Sequence, residues 1–283
     1  MMKRTLSRIG ILLLTVVFLT VAAAACAESV SPVLRAEDLF TERDFVHEPD
    51  LTGAVSYTVA DGQDIEITEA GVYVLTGSAS GVTVTVNAPD NAKVQIVLNG
   101  VSIVNEDYPC IYVKSADKVF ITTAADSSLS VTGVFRMDGN KKTNGVILSR
   151  SDLVLNGTAL LTVDSSKHGI VGKDDLKITG GSYAVTAASK CVDANDSIRI
   201  ADGTLMLTAG TDGLHAENSD DEAKGYIYIG GGVITILAGD EGIQASSLLQ
   251  IDGGELNITA KTRMKAVYAQ INGGSINSAV PAE

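Results

Sequence analysis

The sequence predicts an all-β protein wound as a β-solenoid, with about 22 residues per coil. Three observations predict it. A glycine corner recurs in "VLNGT", "ITGGS", "IADGT", "IGGGV", "IDGGE" and "INGGS", and its last glycines, Gly157, Gly181, Gly203, Gly232, Gly254 and Gly274, are spaced 24, 22, 29, 22 and 20 residues apart. Aliphatic residues recur in register with those corners and alternate with polar ones, the two-residue period of a strand rather than the period of a helix. The composition agrees, with 28 Gly, five Pro, no Trp and 5% aromatics within a 45% hydrophobic chain. That mixture suits many short strands and tight corners.

Residues 1–27 read as an export signal: Lys3, Arg4 and Arg8 precede the apolar run "IGILLLTVVFLTV" and the small-residue stretch "AAAACAES". Ala25-Cys26-Ala27 fits a cleavage site that makes Glu28 the first mature residue, and lipid attachment at Cys26 is the alternative. The expected location is extracellular or cell-surface. Residues 28–53 carry no repeat and read as a leader or linker, residues 54–278 as the solenoid, and 279–283 as a tail. The first coils, from Ala54, are less regular, as terminal coils of solenoids are.

Aligned by their corners, the coils give inward columns. One holds Ile121, Leu155, Ile178, Ile200, Ile229, Ile251 and Ile271, and its partner holds Val119, Leu153, Leu176, Ile198, Ile227 and Leu249. Past the corner come Tyr183, Leu205, Ile234 and Leu256, then Val185, Leu207, Ile236 and Ile258. A third face begins with Ile111, Val146, Ile170, Val192, Leu214 and Ile243, and narrows to Gly172, Ala194, Ala216 and Ala245. The stretch "ENSDDEAKG" reads as a protruding polar loop, and a larger excess occupies "DSSLSVTGVFRMDGNKKTN" before Gly145.

The chain carries a formal charge of −13, and loss of the three basic residues of the signal leaves 18 Lys+Arg against 34 Asp+Glu, or −16. This excludes nucleic acid and anionic membranes as direct partners. Two cysteines in the mature chain make no disulfide scaffold, and Cys110 and Cys191 lie three coils apart, roughly 14 Å, beyond the reach of a disulfide. His47, His168 and His215 lack a zinc ligand set around them.

The stretches "GVYVLTG", "VNAPDNAKVQIVLNGVSI", "HGIVGKDDLKITGGSYAVTA" and "GIQASSLLQIDGGELNITA" resemble the bacterial carbohydrate-binding β-helix family, typified by a clostridial cell-surface protein that binds polygalacturonate and cellulose. The resemblance covers Ala54 to Ser278. It implies a right-handed parallel β-helix related in architecture to pectate lyases, with bound calcium, that recognises acidic polysaccharide without catalysis. Turns of that family often read Asp-Asp-Gly-Ile. Here the matching sites read Lys167-His168-Gly169-Ile170, Ser189-Lys190-Cys191-Val192, Thr211-Asp212-Gly213-Leu214 and Asp240-Glu241-Gly242-Ile243, and only the last two keep acidity before glycine.

Calcium takes about six to eight oxygen ligands, and the coil alignment gathers Asp174, Asp193, Asp196 and Asp212 as the candidate ligands. The competing explanation is that Asp is simply a turn residue. For carbohydrate the candidates are Lys190, Asn195, Tyr226 and Tyr228, with Tyr108, Tyr112 and Tyr268 as the other nearby aromatics. Three functions remain open: a calcium-assisted binder of acidic polysaccharide, a calcium-dependent polysaccharide lyase with Lys190 as base, and a structural spacer or adhesin at the cell surface.

Overall fold

The structure, a computed structural model, describes residues 33–279. The expected export signal with Cys26, the start of the expected leader and residues 280–283 lie outside the described residues. From Val55 the chain winds as a parallel β-helix with three faces. The first face stacks Lys118–Ala125, Asp152–Gly157, Asp175–Ile178, Ser197–Ile200, Tyr226–Ile229, Leu248–Ile251 and Tyr268–Ile271. The second face stacks Ser127–Val131, Leu160–Ser165, Ser182–Ala187, Thr204–Ala209, Val233–Ala238, Glu255–Thr259 and Ser275–Ala279. The last of these strands takes in the first residue of the expected tail. Near the start, Gly71–Ser80 and Lys93–Asn105 run round the corner unbroken, so the first and second faces form one 17-stranded sheet. The third face is a separate nine-stranded sheet that ends with Glu241–Ala245 and Thr262–Lys265.

The repeated corner glycine has a backbone cause. Gly157, Gly181, Gly203, Gly232, Gly254 and Gly274 all lie in the left-handed region, with φ between 85° and 129°, where a β-carbon is penalised. Coil packing adds a second reason: a Cβ on Gly254 would stand 3.0 Å from the Gly232 carbonyl oxygen.

The inward columns of the first two faces close as the sequence predicts. Ile178 pairs with Ile200, Ile200 with Ile229 and Ile229 with Ile251 on successive coils, and all four are buried. Tyr183, Leu205, Ile234 and Leu256 form the matching ladder on the second face. The third face needs one correction. Ile111 and Ile170 both pair with Ile147, so Ile147 and not Val146 fills that column. The inserted loop before Gly145 shifts the count: Gly145 pairs with His168, and Val146 falls one place early, into the corner position of Gly169. Cys110 and Cys191 are buried and free, and burial pushes both thiols up to about 12.

The leader expected over residues 28–53 is, from residue 33, an ordered strap on the outer surface of the first face. The side-chain amide of Gln250 both accepts from and donates to the Leu34 backbone, Arg199 donates to the Leu39 carbonyl, and Asn156 donates to the carbonyls of Asp44 and Val46. Leu34 therefore lies over a late coil and Val46 over an early one. Asp44, fully buried, forms ion pairs with Lys177 at 3.0 Å and Lys118 at 3.6 Å. No local period could reveal such a segment, because its partners lie several coils away, Asn156 at 112 residues from Asp44 and Arg199 at 160 from Leu39.

Candidate functional site

A strand of three residues in a β-helix turns its ends inward and its middle outward. On the third face this rule builds an outward row from Tyr112, Leu148, Val171, Asp193, His215, Gln244 and Lys265, each paired with the next. The first three form a small apolar cluster outside the core, with Tyr108 against it. Arg136 from the inserted loop lies over the Tyr108 ring at 4.1 Å, while Tyr112 donates to Asp138 and accepts from Arg150. The loop thus walls off the apolar part of the row; beyond it Asp193 and His215 are still largely covered, Gln244 is half-buried and Lys265 exposed.

Asp193 and His215 form the centre of the polar half of the row. His215 Nδ1 lies 2.9 Å from Asp193 Oδ1, and Lys190 Nζ donates to the same oxygen at 3.1 Å. With its Nδ1–H given to Asp193, His215 keeps Nε2 as acceptor for the Gln244 amide at 3.2 Å. Lys190 Nζ is 2.9 and 3.1 Å from the two ring nitrogens, a near-equality that places the ammonium against the ring rather than on one lone pair.

Burial raises the Asp193 carboxyl, but the His215 hydrogen bond and the charges of Lys190 and Lys173 outweigh it and hold the group at about 2. His168 is lowered to about 4, chiefly by burial, with Lys190, Lys167 and Lys173 adding to the effect against Asp193. Burial also lowers Lys173, opposed by Asp193 and helped by Lys190, Arg150 and Lys142. His168 therefore feels Lys190, Lys167 and Lys173, and Lys173 feels Lys190, Arg150 and Lys142, with Asp193 acting on both in the opposite sense. Down the axis the sign reverses. Asp212, Asp240 and Glu241 bring one carboxylate oxygen each within 4.8 Å of one another.

A family model described as "Carbohydrate-binding domain-containing protein" matches residues 61–281. The chain belongs to this carbohydrate-binding family. A relative of the same description from Acetivibrio thermocellus is 34% identical over 130 residues, which are 44% of this chain and 46% of the relative, so the match spans under half of that protein's length. A solved structure, the polysaccharide lyase-like protein from C. thermocellum as a gadolinium derivative, superposes with a TM-score of 0.68 at 28% identity, covering 81% of this chain and 96% of the other.

Within this family member the four carboxylates expected to share one cation do not meet. Asp174 and Asp196 occupy the corner that leaves the third face, Asp193 sits in the middle of its strand, and Asp212 lies at the corner that enters the face. Alignment to the following strand put all four in one group although the three-residue strand stands between them. Asp196 accepts from Lys224 at 2.5 Å and from Asn218 at 3.0 Å, so an ammonium already sits where a metal would. Asp174 is raised to about 6, first by burial, then by its hydrogen bond with Asp196 and the charges of Asp152, Asp196 and Asp175.

Of the expected carbohydrate residues, Lys190 and Asn195 lie on the third face, with Asn195 accepting from Lys173 at 3.4 Å. Tyr226 and Tyr228 do not join them. Both belong to the first face, where Tyr228 is buried beneath the strap with Phe40 against it at 6.2 Å, and Arg199 lies 5.3 Å over the Tyr226 ring. Alternation in "YIYI" correctly turns them outward, yet the strap covers what alternation exposes. Sequence reasoning missed Lys173, His215, Gln244, Arg150 and the Asp240-Glu241 pair as site residues. The same alternation, applied to "CVDA", "GLHA" and "GIQA", marks Asp193, His215 and Gln244 as neighbours.

Proposed function

We propose that the third face holds an acidic polysaccharide such as polygalacturonate, as a binder that breaks no bond in it. One observation carries this reading: in a chain of net charge −13, Lys190 stands 3.1 Å from the buried Asp193 on this face, and the charges of Lys173, Lys167 and Arg150 are felt beside it. Lys173, Lys190 and Arg150 would bind uronate carboxylates as charge-assisted donors, while Asn195 and Gln244 would meet sugar hydroxyls. The family description and the polysaccharide lyase-like neighbour support a polysaccharide as the ligand.

Calcium enters this reading at the acidic end of the face. Asp212, Asp240 and Glu241 fit it as a donor set, three hard carboxylates at one corner with solvent on one side to complete the shell. Burial raises the Asp212 carboxyl, and the Glu241 side chain adds to that rise; the Lys265 ammonium, 3.2 Å from Glu241, is the cation that calcium would displace. Calcium there would bridge protein and uronate carboxylates. At a hundredfold excess over its dissociation constant it should stabilise the fold by about 2.7 kcal/mol, or about 5–10 °C in melting temperature for a domain of this size. Asp240→Asn should remove most of that gain while leaving the chelated protein unchanged. Identical melting curves with calcium and with chelator would remove the metal from the account.

The competing reading is eliminative cleavage, favoured by Lys190 standing against Asp193 and His215. Against it, Lys190 is engaged in an ion pair with Asp193, which suits holding a charge better than removing a proton. Retention of the protein on polygalacturonate, with no ultraviolet-absorbing unsaturated product at any pH, is the expected result. Lys190→Ala should weaken retention only modestly. Product formation that this substitution abolishes would replace the binder with a lyase, and no retention on any acidic glycan would leave the spacer.

A further inference from the structure

The strap places a carboxylate in a site made by the first face. Asp44 is fully buried; Oδ2 accepts from Lys177 at 3.0 Å, and Oδ1 makes no hydrogen bond and lies 3.6 Å from Lys118. The cations belong to the solenoid and are themselves largely covered, with side chains 6% and 13% exposed. Around them the same face supplies the Asn156 amide and the Thr179 hydroxyl, both now bonded to the strap, and the rings of Phe120 and Tyr228, against which Arg43 and Phe40 rest. Cations, an amide, a hydroxyl and flat apolar rings along successive coils are the groups that recognise carboxylates, hydroxyls and the apolar faces of a uronate polymer.

We propose that residues 33–47 act as an internal stand-in for such a polymer, and that the first face beneath them is a second, occluded glycan-binding surface. The ligand opens it by exchange: its carboxylate takes the place of Asp44 between Lys177 and Lys118, so neither buried ammonium is left unpaired when the strap lifts. Exchange of like for like makes the strap a competitor rather than a permanent cover. This rests on the reading that the ligand carries uronate carboxylates.

The test uses the full chain and trigalacturonate in the presence of chelator, read by amide hydrogen exchange and by titration calorimetry. The amides of Asp44 and Val46, which donate to the carbonyls of Thr41 and Arg43, should exchange about tenfold faster with ligand bound, while Asp175–Ile178 stays protected. Asp44→Asn keeps the shape and removes the competing charge, so it should bind about tenfold more tightly by enlarging the open fraction. Binding with unchanged strap exchange, and equal affinity in Asp44→Asn, would overturn the internal stand-in and leave the third face intact. No binding by either protein would overturn both.

Discussion

Ile229→Asp should abolish cooperative folding of the domain. Ile229 is fully buried between Ile200 and Ile251, in a column of β-branched side chains with one residue per coil. Replacing it removes an aliphatic group, which costs about 2–5 kcal/mol with the cavity it leaves. It also buries a carboxylate that has no cation in the column, adding several kcal/mol more. The total reaches the order of the whole stability of a domain, about 5–15 kcal/mol. Because each coil is held mainly by its neighbours, the coils on both sides lose their partner as well. Circular dichroism and urea melts should show no native transition, whereas Ile229→Val should cost only about 1 kcal/mol. A native-like midpoint for the aspartate variant would mean that the column is not closed at this coil.

Lys173→Glu combined with Lys190→Glu should cut affinity for polygalacturonate about a hundredfold. Each reversal turns attraction into repulsion near the ligand, and after solvent screening is worth about 1.5 kcal/mol, so two reach two decades. Because Lys190→Glu also sets a second carboxylate beside Asp193, Lys173→Glu alone is the cleaner arm and should lose about tenfold. Binding to the unaltered protein should weaken as salt shortens the Debye length from about 30 Å toward 3 Å. Full retention by the double variant would move the binding surface elsewhere.

The fold was legible because its two causes are local. A glycine that must adopt positive φ, and an aliphatic residue two places from its partner, repeat once per coil, so Gly181 and Ile178 announce their counterparts in Gly203 and Ile200. The columns failed at Val146, where an insertion offset the count by one and Ile147 took the inward place, and at Ile271, which keeps the register with Ile251 but is 51% exposed on the last coil. The site was legible in part. Lys190, Asp193 and Asn195 lie together at one face, but Asp174 follows its third-face strand whereas Asp212 precedes its own, so the two sit on opposite sides of that face. The strap was not legible. Asp44 meets Lys177 across 133 residues, and nothing near Asp44 in the sequence encodes that meeting.

That last separation governs the order in which the molecule can be completed. Coils stack on neighbours about 22 residues away, so the solenoid can grow one turn at a time as the chain emerges, with little loop entropy to overcome at each step. The strap runs the other way. Leu34 finds its partner in Gln250, 216 residues later, and the segment between Leu34 and Val46 touches coils from Gln250 back to Lys118. Residues of the strap must wait for nearly the last turn before they have anywhere to settle. The segment is a latch set last by the part of the chain made first. A chain halted before Leu248 would hold most of its turns and a free arm, and the seating of Leu34 would report that the solenoid has been finished.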